Sequence, residues 1–197
     1  MGSCMRKIRT PSLSENALVD LIEDTKLNHN VLQGWYKEFI TLFPEGVARE
    51  EAFVDIGCKI LLGGDHSQPE DLMKIIFNFL AETDERVVTF RRLAGFLSIS
   101  IVGTIEEKIK MAFQLLSNRQ DHFDYKSFAA VLDAVRKMRG EISMPCSLQD
   151  AFIALSDRKA TVDLHRFRDV MKRNPQKIRE VASNYDAMRA APIRVYQ

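Results

Sequence analysis

Gly103-Thr104-Ile105-Glu106-Glu107-Lys108-Ile109-Lys110-Met111-Ala112-Phe113-Gln114-Leu115-Leu116 is the stretch on which the fold turns. Ile109, Ala112, Phe113 and Leu116 recur at three- and four-residue spacing, so residues 105–116 are expected to form a helix with one apolar face. A polar gap, Ser117 to His122, leads to Phe123, and a further helix is expected to carry Phe128, Val131, Leu132 and Val135. The same alternation returns between Leu148 and Met171, after a linker at Met144-Pro145.

Upstream, helical patterning starts near Ser12 or Ser14, with Leu13, Ala17, Leu18, Leu21 and Ile22 on one face. Val31, Trp35, Phe39 and Phe43 repeat every four residues until Pro44-Glu45-Gly46 breaks the pattern. Phe53, Ile56, Ile60 and Leu61 mark the next helix, which Gly63-Gly64 ends. Pro69 opens another, with Leu72, Ile75, Ile76, Phe79 and Leu80. Val87-Val88 reads as a brief β-like pair before Phe90, Leu93, Phe96 and Leu97. Pro175 opens a last amphipathic helix carrying Ile178, Val181, Ala182 and Tyr185. The reading is all-α: a helix, polar loop, helix unit used four times at a spacing of roughly 40 residues, with an extra helix at each end.

With 197 residues the chain suffices for one compact domain or two small lobes. Lys plus Arg number 28 and Asp plus Glu 27, so there is neither a basic excess suited to nucleic acid nor an acidic surplus. Three cysteines, Cys4, Cys58 and Cys146, do not make a disulfide framework, and a reducing, cytoplasmic location is expected. No apolar run reaches the ~18 residues of a membrane span. The amino terminus lacks the apolar core of a secretory signal.

The Gly103–Leu116 stretch resembles the start of the third EF-hand in the neuronal calcium sensors, the recoverin, frequenin and potassium-channel-interacting group, where the segment runs close to G-T-x-x-E-K-L-x-W-A-F-x-L-Y-D. Trp35-Tyr36-x-x-Phe39, Phe43-Pro44-Glu45-Gly46 and Phe53 resemble the first, non-binding hand of that family, with Phe43 in place of its usual cysteine. The resemblance covers residues 12–188. It implies an arm at 1–11, a first EF-hand pair at 12–100, a second at 101–174, and a terminal helix and tail at 175–197.

A calcium loop supplies oxygens from positions 1, 3, 5, 7 and 9 and a bidentate Glu at position 12, with Gly at position 6 for the turn. Placed by Phe77 and Phe90, the second loop runs from Ala81 to Arg92. Ala81 offers no oxygen, Arg86 stands at the glycine position, and Arg92 puts a cation where the carboxylate belongs. The third loop, Ser117 to Ser127, is one residue short and offers Asp121 and Asp124 without a terminal Glu. The fourth, Ser156 to Arg166, is also one short and ends in a cation, and the first is the Pro44–Gly46 turn. No metal and no other cofactor is expected. Val88, Phe123 and Val162 are placed to bridge paired loops, so the helix pairs keep their scaffold.

Met1-Gly2-Ser3-Cys4 followed by Arg6, Lys7 and Arg9 suggests a lipidated arm: myristate on Gly2, palmitate on Cys4, and basic residues on the membrane surface. Arg6 stands where the usual myristoylation pattern has Ser or Thr, and an ordinary amino terminus is the alternative reading of these residues. Many relatives carry N-terminal myristate. The resemblance also implies an apolar groove in the first pair that takes a partner helix, matched here by Trp35, Phe39, Phe53, Ile56, Ile76, Phe90, Phe96 and Leu97, all residue types that also suit a core.

Phosphate loops, Cys-x-x-Cys, His-Glu-x-x-His and Gly-x-Ser-x-Gly are absent, and His29, His66, His122 and His165 do not cluster, so no enzyme is expected. The expectation is a calcium-insensitive adaptor or regulatory subunit peripheral to the inner face of a membrane, holding an amphipathic helix of a channel, cyclase or kinase. A calcium or magnesium sensor with non-standard loops and a structural subunit of an assembly are the alternatives.

Overall fold

A computed structural model describes residues 13–61, 68–82, 84–139 and 147–173. The amino-terminal arm with Gly2, Cys4, Arg6, Lys7 and Arg9, and the helix expected from Pro175, lie outside the described residues. In chain order the elements are α1 (Glu15–Thr25), α2 (His29–Leu42), β1 (Val47–Arg49), α3 (Glu50–Leu61), α4 (Glu70–Leu80), β2 (Val87–Thr89), α5 (Phe90–Val102), α6 (Ile105–Leu116), β3 (His122–Asp124), α7 (Tyr125–Arg139), α8 (Leu148–Ser156), β4 (Thr161–Asp163) and α9 (Leu164–Arg173).

Short polar residues start several helices by accepting hydrogen bonds from otherwise unpaired N–H groups. Of the two serines that suited the first helix, Ser14 is its cap, its hydroxyl accepting from the Ala17 N–H at 3.2 Å. Asn28 caps α2 through Val31 at 3.0 Å, and Ser147 caps α8 through Asp150 at 3.1 Å. The stretch that identifies the fold begins with a reciprocal capping box: the Glu107 N–H donates to the Thr104 hydroxyl at 3.2 Å, and the Thr104 N–H donates to the Glu107 carboxylate at 2.7 Å. A Cβ on Gly103 would lie 2.3 Å from the Ile99 carbonyl oxygen, so only glycine fits the tight joint between α5 and α6.

Glu107 also pairs with Lys26 at 2.7 Å, tying the end of α1 to α6. The Lys26 hydrogen bond, followed by those from Thr104, holds the Glu107 carboxyl down at about 2, well below its ordinary 4.5. A depressed carboxyl contributes stability that is complete above its unfolded pKa and is lost as pH falls through the folded one. The stability gap between wild type and Glu107→Gln is therefore expected to be constant above pH 4.5 and to close between there and pH 2. Urea denaturation at stepped pH reads this directly, and a gap unchanged across that window would refute the coupling.

Each pair of hands is joined by a three-residue antiparallel ladder. In the first, Ala48 faces Val88; in the second, Phe123 faces Val162. All four side chains are buried, as expected for the three that the sequence marks. Ala48, the partner of Val88, carries no signal in its own sequence.

Two cores result. Phe39, Phe53, Phe77, Phe90 and Phe96 belong to the first, and Phe113, Phe123, Phe128, Phe152 and Phe167 to the second. Burying a phenylalanine side chain is worth about 1.5–3 kcal/mol, so these rings dominate the stability of both pairs. Met111 of α6 and Ala134 and Met138 of α7 pack into the first core, although both helices belong to the second pair. The Lys137 carbonyl accepts from the Gln68 N–H at 2.9 Å, and its ammonium reaches Asp71 of α4 at 2.8 Å. The two pairs thus meet along α4 and the end of α7.

Candidate functional site

The loops between paired helices are where a hand of this kind would hold its ion, so their donors decide what the fold can do. In the second loop Arg86 takes the glycine position with a left-handed backbone, φ 51°. Its guanidinium pairs with Glu50 at the start of α3 at 2.5 Å and lies 5.6 Å from the Phe77 ring centre. Arg91 and Arg92 occupy the first turn of α5, which carries no acidic residue and no side-chain cap. Positive charge at a helix N-terminus opposes the helix dipole, and it also repels a cation. Thr83, which with Glu85 and Thr89 could offer this loop oxygens, lies outside the described residues.

The third and fourth loops share one construction. Each has two successive left-handed residues, Asn118-Arg119 (φ 47° and 64°) and Asp157-Arg158 (φ 57° and 65°). Backbone hydrogen bonds close both turns: Arg119 N–H to the Gln114 carbonyl at 2.9 Å, and Arg158 N–H to the Ile153 carbonyl at 3.3 Å. The missing residue thus converts each ion loop into a compact peptide turn. The loop carboxylates are used elsewhere. Asp124 accepts from the Ser127 N–H at 2.9 Å and caps α7, while Asp163 accepts from the Arg166 N–H at 2.8 Å and caps α9. The Ser127 hydrogen bonds hold the Asp124 carboxyl below its usual range. Asp121 is exposed and pairs with its neighbour His122 at 2.5 Å.

Arg166 occupies the last position of the fourth loop, where a calcium-binding hand places its bidentate glutamate. Its side chain turns back across the loop to the end of α8, donating from Nε to the Leu155 carbonyl at 2.9 Å and from Nη2 to the Ala154 carbonyl at 3.4 Å. Carbonyls in a helix's last turn lack intrahelical partners and sit at the negative end of its dipole. A guanidinium satisfies both needs. The exiting helix is therefore linked to the entering helix by an arginine, in the manner that a shared ion would link them. Neither the number of oxygens nor their charge fits calcium in this loop, and among the described residues no group of three or more His, Cys, Asp or Glu side chains converges. The sequence marks Arg166 as a cation out of place; its reach to α8 carries no sequence signal.

The residues proposed for the groove divide by depth. Phe39, Phe53, Ile76, Phe90 and Phe96 are buried, with Phe39 and Phe90 ring centres 5.6 Å apart. Trp35, Ile56 and Leu97 are half-buried and pack on the same core, and Ile60, one turn beyond Ile56, is 46% exposed. The set is therefore contiguous, with three residues at its accessible edge.

Groups suited to catalysis do not assemble among the described residues. Burial, with help from Glu70 and Asp55, pushes the Cys58 thiol up, the opposite of what a nucleophile needs. His165 lies 3.6 Å from Asp169 on the exposed side of α9, remote in sequence from the exposed His122 and His29. No described helix is long and apolar enough to cross a membrane.

No protein-family profile matches the chain. Neuronal calcium sensor 1 of Lymnaea stagnalis is 27% identical over 147 residues, which cover 74% of this chain and 73% of that protein. Paired helix-loop-helix units joined by short antiparallel ladders, together with this similarity, make the chain a distant EF-hand relative of the neuronal calcium sensors.

Proposed function

We propose that the chain is a calcium-independent EF-hand adaptor or regulatory subunit that binds a helix of a target protein along its first pair of hands, at the cytoplasmic face of a membrane. Arg166 carries the reading: a guanidinium built into the chain joins α8 to α9 where calcium would otherwise act. Arg86 and Arg92 support it from the second loop, and the peptide turns at Asn118-Arg119 and Asp157-Arg158 support it from the third and fourth. Such a protein keeps the scaffold of a sensor and dispenses with the switch.

The target helix would seat on Trp35, Ile56 and Leu97, with Phe39, Phe53, Ile76, Phe90 and Phe96 beneath them. An amphipathic segment of a channel, cyclase or kinase has the required apolar face. Myristate on Gly2, with palmitate on Cys4 or the charges of Arg6, Lys7 and Arg9, supplies the two signals that stable anchoring needs.

Calorimetric titration of the full chain with calcium is expected to give no saturable heat, and no change in melting temperature. Saturation at one ion per chain would replace this reading with that of a sensor using non-standard loops. Gly2→Ala is expected to move the protein from membranes to the soluble fraction, in calcium and in chelator alike. Movement that depends on calcium would contradict the proposal.

A further inference from the structure

The second and third hands carry two cations that have no carboxylate partner among the described residues. Arg119 sits in the left-handed turn after α6, and its guanidinium lies 5.3 Å from the ring centre of Phe79 on α4. Phe79 packs edge-on against Phe96 of α5, with ring centres 6.1 Å apart. Arg92 lies one helical turn before Phe96 on the same face of α5, and helical side chains lean toward the amino-terminal turn. The Phe79–Phe96 contact thus connects the Arg119 turn to the face of α5 that carries Arg92.

Among the described residues neither Arg92 nor Arg119 has a carboxylate partner, whereas Arg86, Arg91 and Arg168 pair with Glu50, Asp24 and Glu106. Partial burial first, and then the charge of Arg92, hold Arg119 below its ordinary range. Like charges brought together over an apolar surface are unfavourable until an anion joins them. Both side chains are exposed, so the approach is open.

We propose that Arg92 and Arg119 form a receptor for a phosphate group at the seam between the second and third hands. Two planar forks, each able to donate two parallel hydrogen bonds, match the oxygens and the double charge of a phosphate; a single carboxylate answers only one of them. Where the second calcium loop would end in an anion to hold a cation, this chain has the charges reversed. The proposal stands apart from the adaptor reading, because it needs neither a target helix nor a lipid.

The test is calorimetric titration of the full chain at low ionic strength with inorganic phosphate, with inositol trisphosphate and with acetate. Saturable phosphate binding is expected, with acetate weaker by about tenfold or more. Arg92→Gln and Arg119→Gln are each expected to weaken phosphate binding by about tenfold or more, the size of one lost charge-assisted hydrogen bond. Lys126→Gln, which removes an exposed charge on α7, is expected to leave it unchanged. Tighter binding of inositol trisphosphate than of inorganic phosphate would assign the site to a phosphorylated headgroup, and equal binding to a free phosphate group. Absence of saturable binding to either probe, or equal losses in Lys126→Gln and the arginine variants, would overturn the proposal.

Discussion

Arg166→Ala is expected to destabilise the second pair of hands by about 2 kcal/mol, the range of a hydrogen bond to a charged group plus the helix end it leaves unpaired. The loss comes from the Leu155 and Ala154 carbonyls, which the guanidinium satisfies at 2.9 Å and 3.4 Å. Part of that surface is open to water, which holds the cost below that of a fully buried ion pair. Arg166→Lys keeps the charge but has one compact ammonium in place of a planar fork, and is expected to recover about half. Urea denaturation of the three proteins measures the series. Arg166→Glu restores a carboxylate at the loop's last position; calcium is still expected not to bind, because the shortened Asp157-Arg158 turn supplies no cage. Equal stability in wild type and Arg166→Ala would show that the guanidinium does not join the helices. Calcium binding by Arg166→Glu would show that the arginine alone had displaced the ion.

A larger loss is expected from Phe123→Ala, about 3–5 kcal/mol by the usual cost of emptying a buried aromatic site. Phe123 is 2% exposed, and its ring centre lies 5.6 Å from that of Phe113, 5.8 Å from Phe167, 6.3 Å from Phe128 and 6.5 Å from Phe152. It also faces Val162 across the ladder. One residue therefore contributes the ladder contact and the centre of the aromatic cluster, which draws on α6, α7, α8 and α9 together. Phe123→Leu refills most of the volume and is expected to cost less than half as much. A loss below about 1 kcal/mol for Phe123→Ala would mean that the neighbouring rings collapse into the space.

The two variants test different layers of the same pair. Phe123 belongs to the apolar scaffold that the chain shares with ion-binding hands. Arg166 belongs to what stands in for the ion. If Phe123→Ala unfolds the pair while Arg166→Ala only loosens it, the scaffold supplies most of the stability and the arginine fixes the angle between α8 and α9.

Much of this was legible in the amino-acid order. The helices follow from apolar residues at three- and four-residue spacing, and the bridging positions Val88, Phe123 and Val162 from apolar residues set inside polar loops. Arg86, Arg92 and Arg166 could be read as misplaced cations, because calcium ligation demands a residue type at each loop position whatever surrounds it. These are local properties, carried within a dozen residues. What only the tertiary structure decided is where the displaced groups go. Arg166 turns to the carbonyls of α8, Arg86 reaches Glu50 across 36 residues, Asp124 caps α7, and Met138 leaves its own pair to enter the first core. Periodicity says which face of a helix is apolar, but not which other helix covers it. A charged side chain likewise finds its partner through the approach of distant segments, and that approach is set by the packing of all the helices at once.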